Sequence, residues 1–111
     1  SVAANIGKVF SGDSVTFDAN ERSITVSGQK YVIPSRDRVK EVQRNLIEGF
    51  ESFADNSGNT ADKLKYLGLA RAMKAATKDG TGIDGVIGKA TANAFAEAAK
   101  LMPSVVKVFK V

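Results

Sequence analysis

The stretch GTGIDGVIGK, Gly80 to Lys89, concentrates the residues whose types and spacing could do chemistry. Glycine-rich loops of this kind cradle phosphates, ligate metals or open helices, and each use leaves its own pattern. A P-loop needs G-x-x-x-x-G-K-[ST]. Gly88 and Lys89 supply the G-K, but Ile83 stands at the first glycine position and Ala90 at the magnesium hydroxyl. An EF-hand loop needs oxygen side chains at its first, third and fifth positions, glycine at its sixth and a bidentate glutamate at its twelfth. Counting from Asp79 gives Asp79, Thr81, Ile83, Asp84 and, at the twelfth, Ala90. Both patterns fail. What remains is an Asp84-Gly85 turn with Val86 and Ile87 as apolar anchors turned inward, Gly88 for a tight approach, and Thr91 near the start of a helix.

The rest of the composition narrows the chemistry further. The chain has neither cysteine nor histidine, so disulfides, Cys-based zinc or redox sites and Ser-His-Asp or Cys-His centres are excluded. Glu48 and Glu51 lie three apart on one helix flank, as surface carboxylates do, rather than across a cleft as a glycosidase pair would. Asp79 and Asp84 flank a turn, where short acidic side chains accept from backbone N–H groups. No carboxylate has apolar neighbours in sequence that would raise its pKa. The expectation is a non-enzyme with no cofactor and no metal.

A second feature stands beside the turn. The string IDGVIGKATANAF, Ile83 to Phe95, resembles the second half of the small helical peptidoglycan-binding domain, which carries D-G-x-x-G-x-x-T ahead of an amphipathic helix. Asp84, Gly85, Gly88 and Thr91 occupy those positions, with Phe95 on the helix behind. That family's first helix reads V-x-x-L-Q-x-x-L. Here VKEVQRNL supplies Val39, Val42, Gln43 and Leu46. The resemblance implies a wall-glycan-binding turn at Asp84, Gly85, Gly88 and Thr91. It covers the two half-motifs only and accounts for neither the extra helix between them nor the flanking strands.

These residues must be positioned by a small scaffold. At 111 residues and 43% hydrophobic content, the chain is long enough for one core. Val15 and Phe17, Ile24 and Val26, and Tyr31 and Ile33 alternate with period two between turn residues. The pattern predicts an antiparallel meander of strands 14–18, 22–27 and 30–33, with Lys8 to Phe10 as an optional further strand. Pro34 ends the sheet. Ser35 then caps a helix 36–54 with Val39, Val42, Leu46, Phe50 and Phe53 on its apolar stripe. Thr60 is expected to cap a helix 61–77, with Leu64, Leu67, Ala70 or Arg71, and Ala75 on one face and Tyr66, Leu69, Met73 and Ala76 widening it. A third helix runs from Lys89 to Met102. Alanines at 90, 92, 94, 96 and 98 there imply close helix contact. The tail SVVKVFKV, rich in β-branched residues, reads as a last strand over 104–110 that returns to the meander. The fold class is therefore α+β: a small antiparallel sheet, N-terminal meander plus C-terminal strand, against about three helices. Residues 14–111 form the single domain and 1–13 a flexible N-terminal arm.

Charge and surface set three expectations of function. The leading one is an interaction or assembly protein, such as a virion, phage or cell-envelope component. It pairs through Val105, Val106, Val108 and Phe109 of the terminal strand, because strand edges invite partners. The second is the wall-glycan-binding module. The third is a nucleic-acid binder. Residues 56–111 hold nine basic against four acidic side chains, and Lys63, Lys65, Arg71, Lys74 and Lys78 fall on or just after the middle helix. Arg36, Arg38, Lys40 and Arg44 on the first helix are interleaved with Asp37 and Glu41, which blunts their field. No apolar run reaches the ~20 residues of a membrane span, so no membrane insertion is expected. The opening SVAANIGKVFSG lacks the basic and long apolar regions of a signal peptide. A chain that opens on Ser1 is expected to have lost a methionine or a leader.

Overall fold

The computed structural model describes residues 14–111. The expected arm 1–13 and the optional strand at Lys8 to Phe10 lie outside the described residues. Three strands form one antiparallel sheet in the order β1 (Val15–Asp18), β2 (Ser23–Val26), β3 (Gln29–Val32). Val15 pairs with Val26 and Phe17 with Ile24, and Ile24 pairs in turn with Tyr31. Val15, Ile24 and Tyr31 thus bury one face together. Asp18 makes the first turn by accepting from the N–H groups of Asn20 and Glu21. Ser27 and Gly28, at φ 47° and 88°, make a two-residue turn with both centres left-handed, which matches strand twist. The three strands fall within a residue of the alternation that predicts them.

Helix α1 (Arg36–Asn56) follows Pro34, with the Ser35 hydroxyl accepting from Arg38 N–H at 3.2 Å. It buries Val39, Val42, Gln43, Leu46, Ile47, Phe50 and Ala54. Phe53, expected on the stripe, is exposed and tilts against Tyr66 instead. Helix α2 (Thr60–Ala75) is capped by Asn59, not Thr60: the Asn59 side chain accepts from Asp62 N–H at 3.1 Å. Its buried residues are Leu69, Ala70 and Met73, while Leu64 is 63% exposed. The fully buried positions thus fall in α2's second half, with Tyr66 and Leu67 half-buried ahead of them and Leu64, expected on the face, left at the surface.

Helix α3 (Lys89–Leu101) is the central element. Every residue from Thr91 to Ala98 is buried. It touches β1, β2, α1 and α2, so its alanines allow approach from several sides. Phe95 meets Tyr31 edge-on at 5.2 Å between ring centroids.

The expected strand 104–110 does not form. Helix α4 (Pro103–Val106) and a 3-10 turn (Lys107–Phe109) occupy it, and among the described residues only Lys110 bridges to the sheet, at Tyr31, with Val111 N–H donating to Lys30 O. Pro103 stands at the first helical position, which suits its fixed φ. Periodicity decides the rest. A strand would bring Lys107 to the same face as Val105 and Phe109. Helical spacing instead turns Val106 and Phe109 inward together and leaves Val105 and Val108 exposed. The four residues expected as an assembly strand thus split between core and surface. Among the described residues no helix is long and apolar enough to cross a membrane.

Candidate binding site at the glycine turn

Gln43 organises the site. It lies on α1's buried face, 1% exposed, directly beneath the turn. Its Oε1 accepts from the N–H groups of Asp84 at 3.0 Å and Gly85 at 2.9 Å. Its Nε2 lies within hydrogen-bonding distance of Asp84 Oδ1 and Val86 O, both at 3.0 Å, and Thr91 Oγ1 at 3.1 Å. An amide nitrogen has two protons, so three acceptors share two donors. Asp84 Oδ1 also accepts from Val86 N–H at 3.0 Å. One carboxamide therefore ties the V-x-x-V-Q segment of α1 to D-G-x-x-G-x-x-T, and the intervening α2 does not separate the two half-motifs in space.

Two glycines make this closeness possible. Gly85 has φ 77°, and a Cβ there would stand 2.5 Å from Arg36 Cγ. Arg36 crosses beneath it to donate from Nη2 to Asp84 O at 3.2 Å. Gly82 has φ 76°, and a Cβ would meet Ile47 Cδ1 at 2.6 Å and the Met73 backbone at 3.1 Å. Gly88 differs from expectation: a Cβ there meets nothing within 4 Å, so it borders open space rather than a tight approach. Of the two expected anchors, Ile87 is buried and Val86 is half exposed.

That open space is a cavity of about 540 Å³ between the end of α2, the turn and the start of α3. Ala72, Met73 and Ala76 give it an apolar wall, and Thr77, Asp84, Lys89, Thr91 and Asn93 give it polar groups. Of the expected glycan-contact residues, Asp84 (N–H and Oδ1), Gly85 (N–H) and Thr91 (Oγ1) bond Gln43, and Asp84, Gly88 and Thr91 also line the cavity. Asp79 holds the turn's other end. The backbone N–H of Thr81 at 3.1 Å, and then its hydroxyl at 2.8 Å, hold the Asp79 carboxyl below its ordinary 3.8.

The residues missed by the sequence reading are Asn93 and Glu97. Both are 1% exposed, on the part of α3 near α2. Glu97 Oε1 accepts from Lys65 Nζ at 2.8 Å, while Glu97 Oε2 and both polar atoms of Asn93 have no hydrogen-bond partner among the described residues. Each unpaired buried group costs ~1–3 kcal/mol. The signal was present: Asn93 and Glu97, four apart, interrupt an alanine run. The expected weight of those alanines on helix packing hid it.

Two of the expected basic residues are held in ion pairs. Lys65 is tied to Glu97 on α3, and Lys74 to Glu51 on α1 at 2.8 Å. Lys63, Arg71 and Lys78 are exposed. The Glu97 carboxylate raises Lys65 above its ordinary 10.5, against burial, which lowers it. On α1, Arg38 pairs with Glu41 at 2.7 Å and lies 5.4 Å from the Phe109 ring centroid. Among the described residues no cluster of three or more carboxylates is placed to hold a metal. No family model, curated protein or solved structure matches the chain.

Proposed function

We infer that this chain is a non-catalytic module that binds the cell-wall polymer through the cavity beside the Asp84–Thr91 turn. The observation that carries this reading is the Gln43 clamp, which joins the two half-motifs of the resemblance into one structural unit at the rim of a cavity. Asp84 Oδ1, the Gly85 N–H and Thr91 Oγ1 hold the turn's shape, so ligand contact falls to the rest of the cavity wall. A mixed apolar and polar wall suits a neutral saccharide or peptide better than a polyanion.

Co-sedimentation of the chain with purified sacculi, across a salt series and with DNA as competitor, tests this. Binding is expected to persist at about 1 M salt, where the screening length is ~3 Å. It is also expected to resist DNA and to be lost when Ala76→Phe fills the cavity. No pelleting, or pelleting that salt or DNA abolishes, would contradict it.

A specific observation supports a second reading, that of an interaction or assembly protein. An apolar groove runs between α1 and the C-terminal turns, lined in part by Val42, Leu46, Met102, Val105 and Val108. With no terminal strand to offer, partner contact in this reading falls to that groove. Size-exclusion chromatography with light scattering tests it: self-association that Val108→Asp removes supports it, and a concentration-independent monomer counts against self-assembly. The polyanion reading loses support because Lys65 and Lys74 are already paired.

A further inference from the structure

Asn93 is buried one turn into α3, lines the cavity beside the glycine turn, and has both Nδ2 and Oδ1 unpaired. The nearby carboxylate, Glu97, is met by Lys65. Among the buried side chains that line the cavity, Asn93 is the one that leaves polar atoms unmatched, one donor group and one acceptor on a single planar amide. Ala72, Met73 and Ala76 share that wall and offer room and apolar surface for a small alkyl group. We propose that Asn93 is the floor of a seat for a secondary amide with a methyl group beside it.

Two parts of the wall polymer present that chemistry. An acetamido sugar offers the amide carbonyl, a neighbouring hydroxyl and the acetyl methyl. An alanine of an extended stem peptide offers its N–H and C=O side by side with its methyl. The side chain of Asn93 donates to the carbonyl and accepts from the N–H or O–H. The two orphaned groups become paired only on binding, so the seat exchanges folding stability for recognition. The polar atoms of the amide are shielded from solvent, so the ligand must displace part of the cavity wall to reach them. This seat rests on the wall-binding reading and names the group that the wall would insert.

The test is calorimetric titration of the full chain with three probes: a tetramer of N-acetylglucosamine, its deacetylated counterpart, and a sugar-free stem peptide with an internal alanine. One of the two amide-bearing probes is expected to bind, and which one identifies the source. The deacetylated tetramer is expected not to bind. Asn93→Leu removes the unpaired groups at similar volume. It is expected to weaken binding about tenfold or more while melting at or above the wild-type temperature. Equal binding by Asn93→Leu, equal binding of the deacetylated tetramer, or no binding of either amide probe overturns the seat. If wild type still pellets with sacculi in those cases, only the seat falls; if it does not, the wall-binding reading falls as well. Should Asn93→Leu fail to fold, the side-chain amide resonances of wild-type Asn93 decide: movement on adding the bound probe supports the seat, and no movement overturns it.

Discussion

At the scale of single residues, Gln43 is where shape and candidate site meet. Replacing it with alanine strands the N–H groups of Asp84 and Gly85 beneath the turn. Gln43→Ala should lower unfolding free energy by roughly 3 kcal/mol, about two buried donors left unpaired, read by urea denaturation. A smaller loss, below ~1 kcal/mol, would mean that water substitutes for the clamp. Gly85→Ala forces a side chain into φ 77° and against Arg36, so a loss of about 1–3 kcal/mol is expected in the same assay. Gly88→Ala, whose Cβ meets open space, should cost less than Gly85→Ala. The turn at Asp84-Gly85 was legible because these residue types have few other uses. The clamp was visible only as the Gln43 position of a motif, since a glutamine on an apolar stripe does not say which backbone it meets 41 residues away.

At the scale of elements, the meander and three main helices follow from periodicity, and the C-terminal segment does not. SVVKVFKV has β-forming composition, but Val106 and Phe109 are three apart and both meet the core. Tertiary burial overrides local propensity there. Val106→Asp should therefore be strongly destabilising and Val108→Asp nearly neutral; thermal melts of the two variants check the ranking. A strand would favour similar costs at 106 and 108, which share a strand face. The α2–α3 contact carries a pH signature. Lys65 is raised by its bond to Glu97, so the folded state holds that proton more tightly than the unfolded chain. This contribution to stability is complete below pH 10.5 and is lost as pH rises through the higher folded value. Glu97→Gln should flatten the fall in Tm above pH 10.5 relative to wild type. An unchanged slope would show that Lys65 and Glu97 do not interact in solution.

At the scale of the whole molecule, the sheet and α1 wrap one side of α3, and α2 leans on it from another. Only α2's second half is well buried, and the cavity opens at that end. The sequence marks Asn93 only as a polar break in an alanine run; that it is buried at the cavity belongs to the assembled fold. An Asn in an alanine run reads equally well as surface or core. The central claim, that ligand enters between α2, the glycine turn and α3, is tested most directly by mapping backbone amide shifts as soluble wall fragments are added to the labelled protein. Perturbations confined to residues 72–77 and 82–93 are the predicted result. Shifts centred on Val105 and Val108, on the exposed lysines of α2, or nowhere would contradict it.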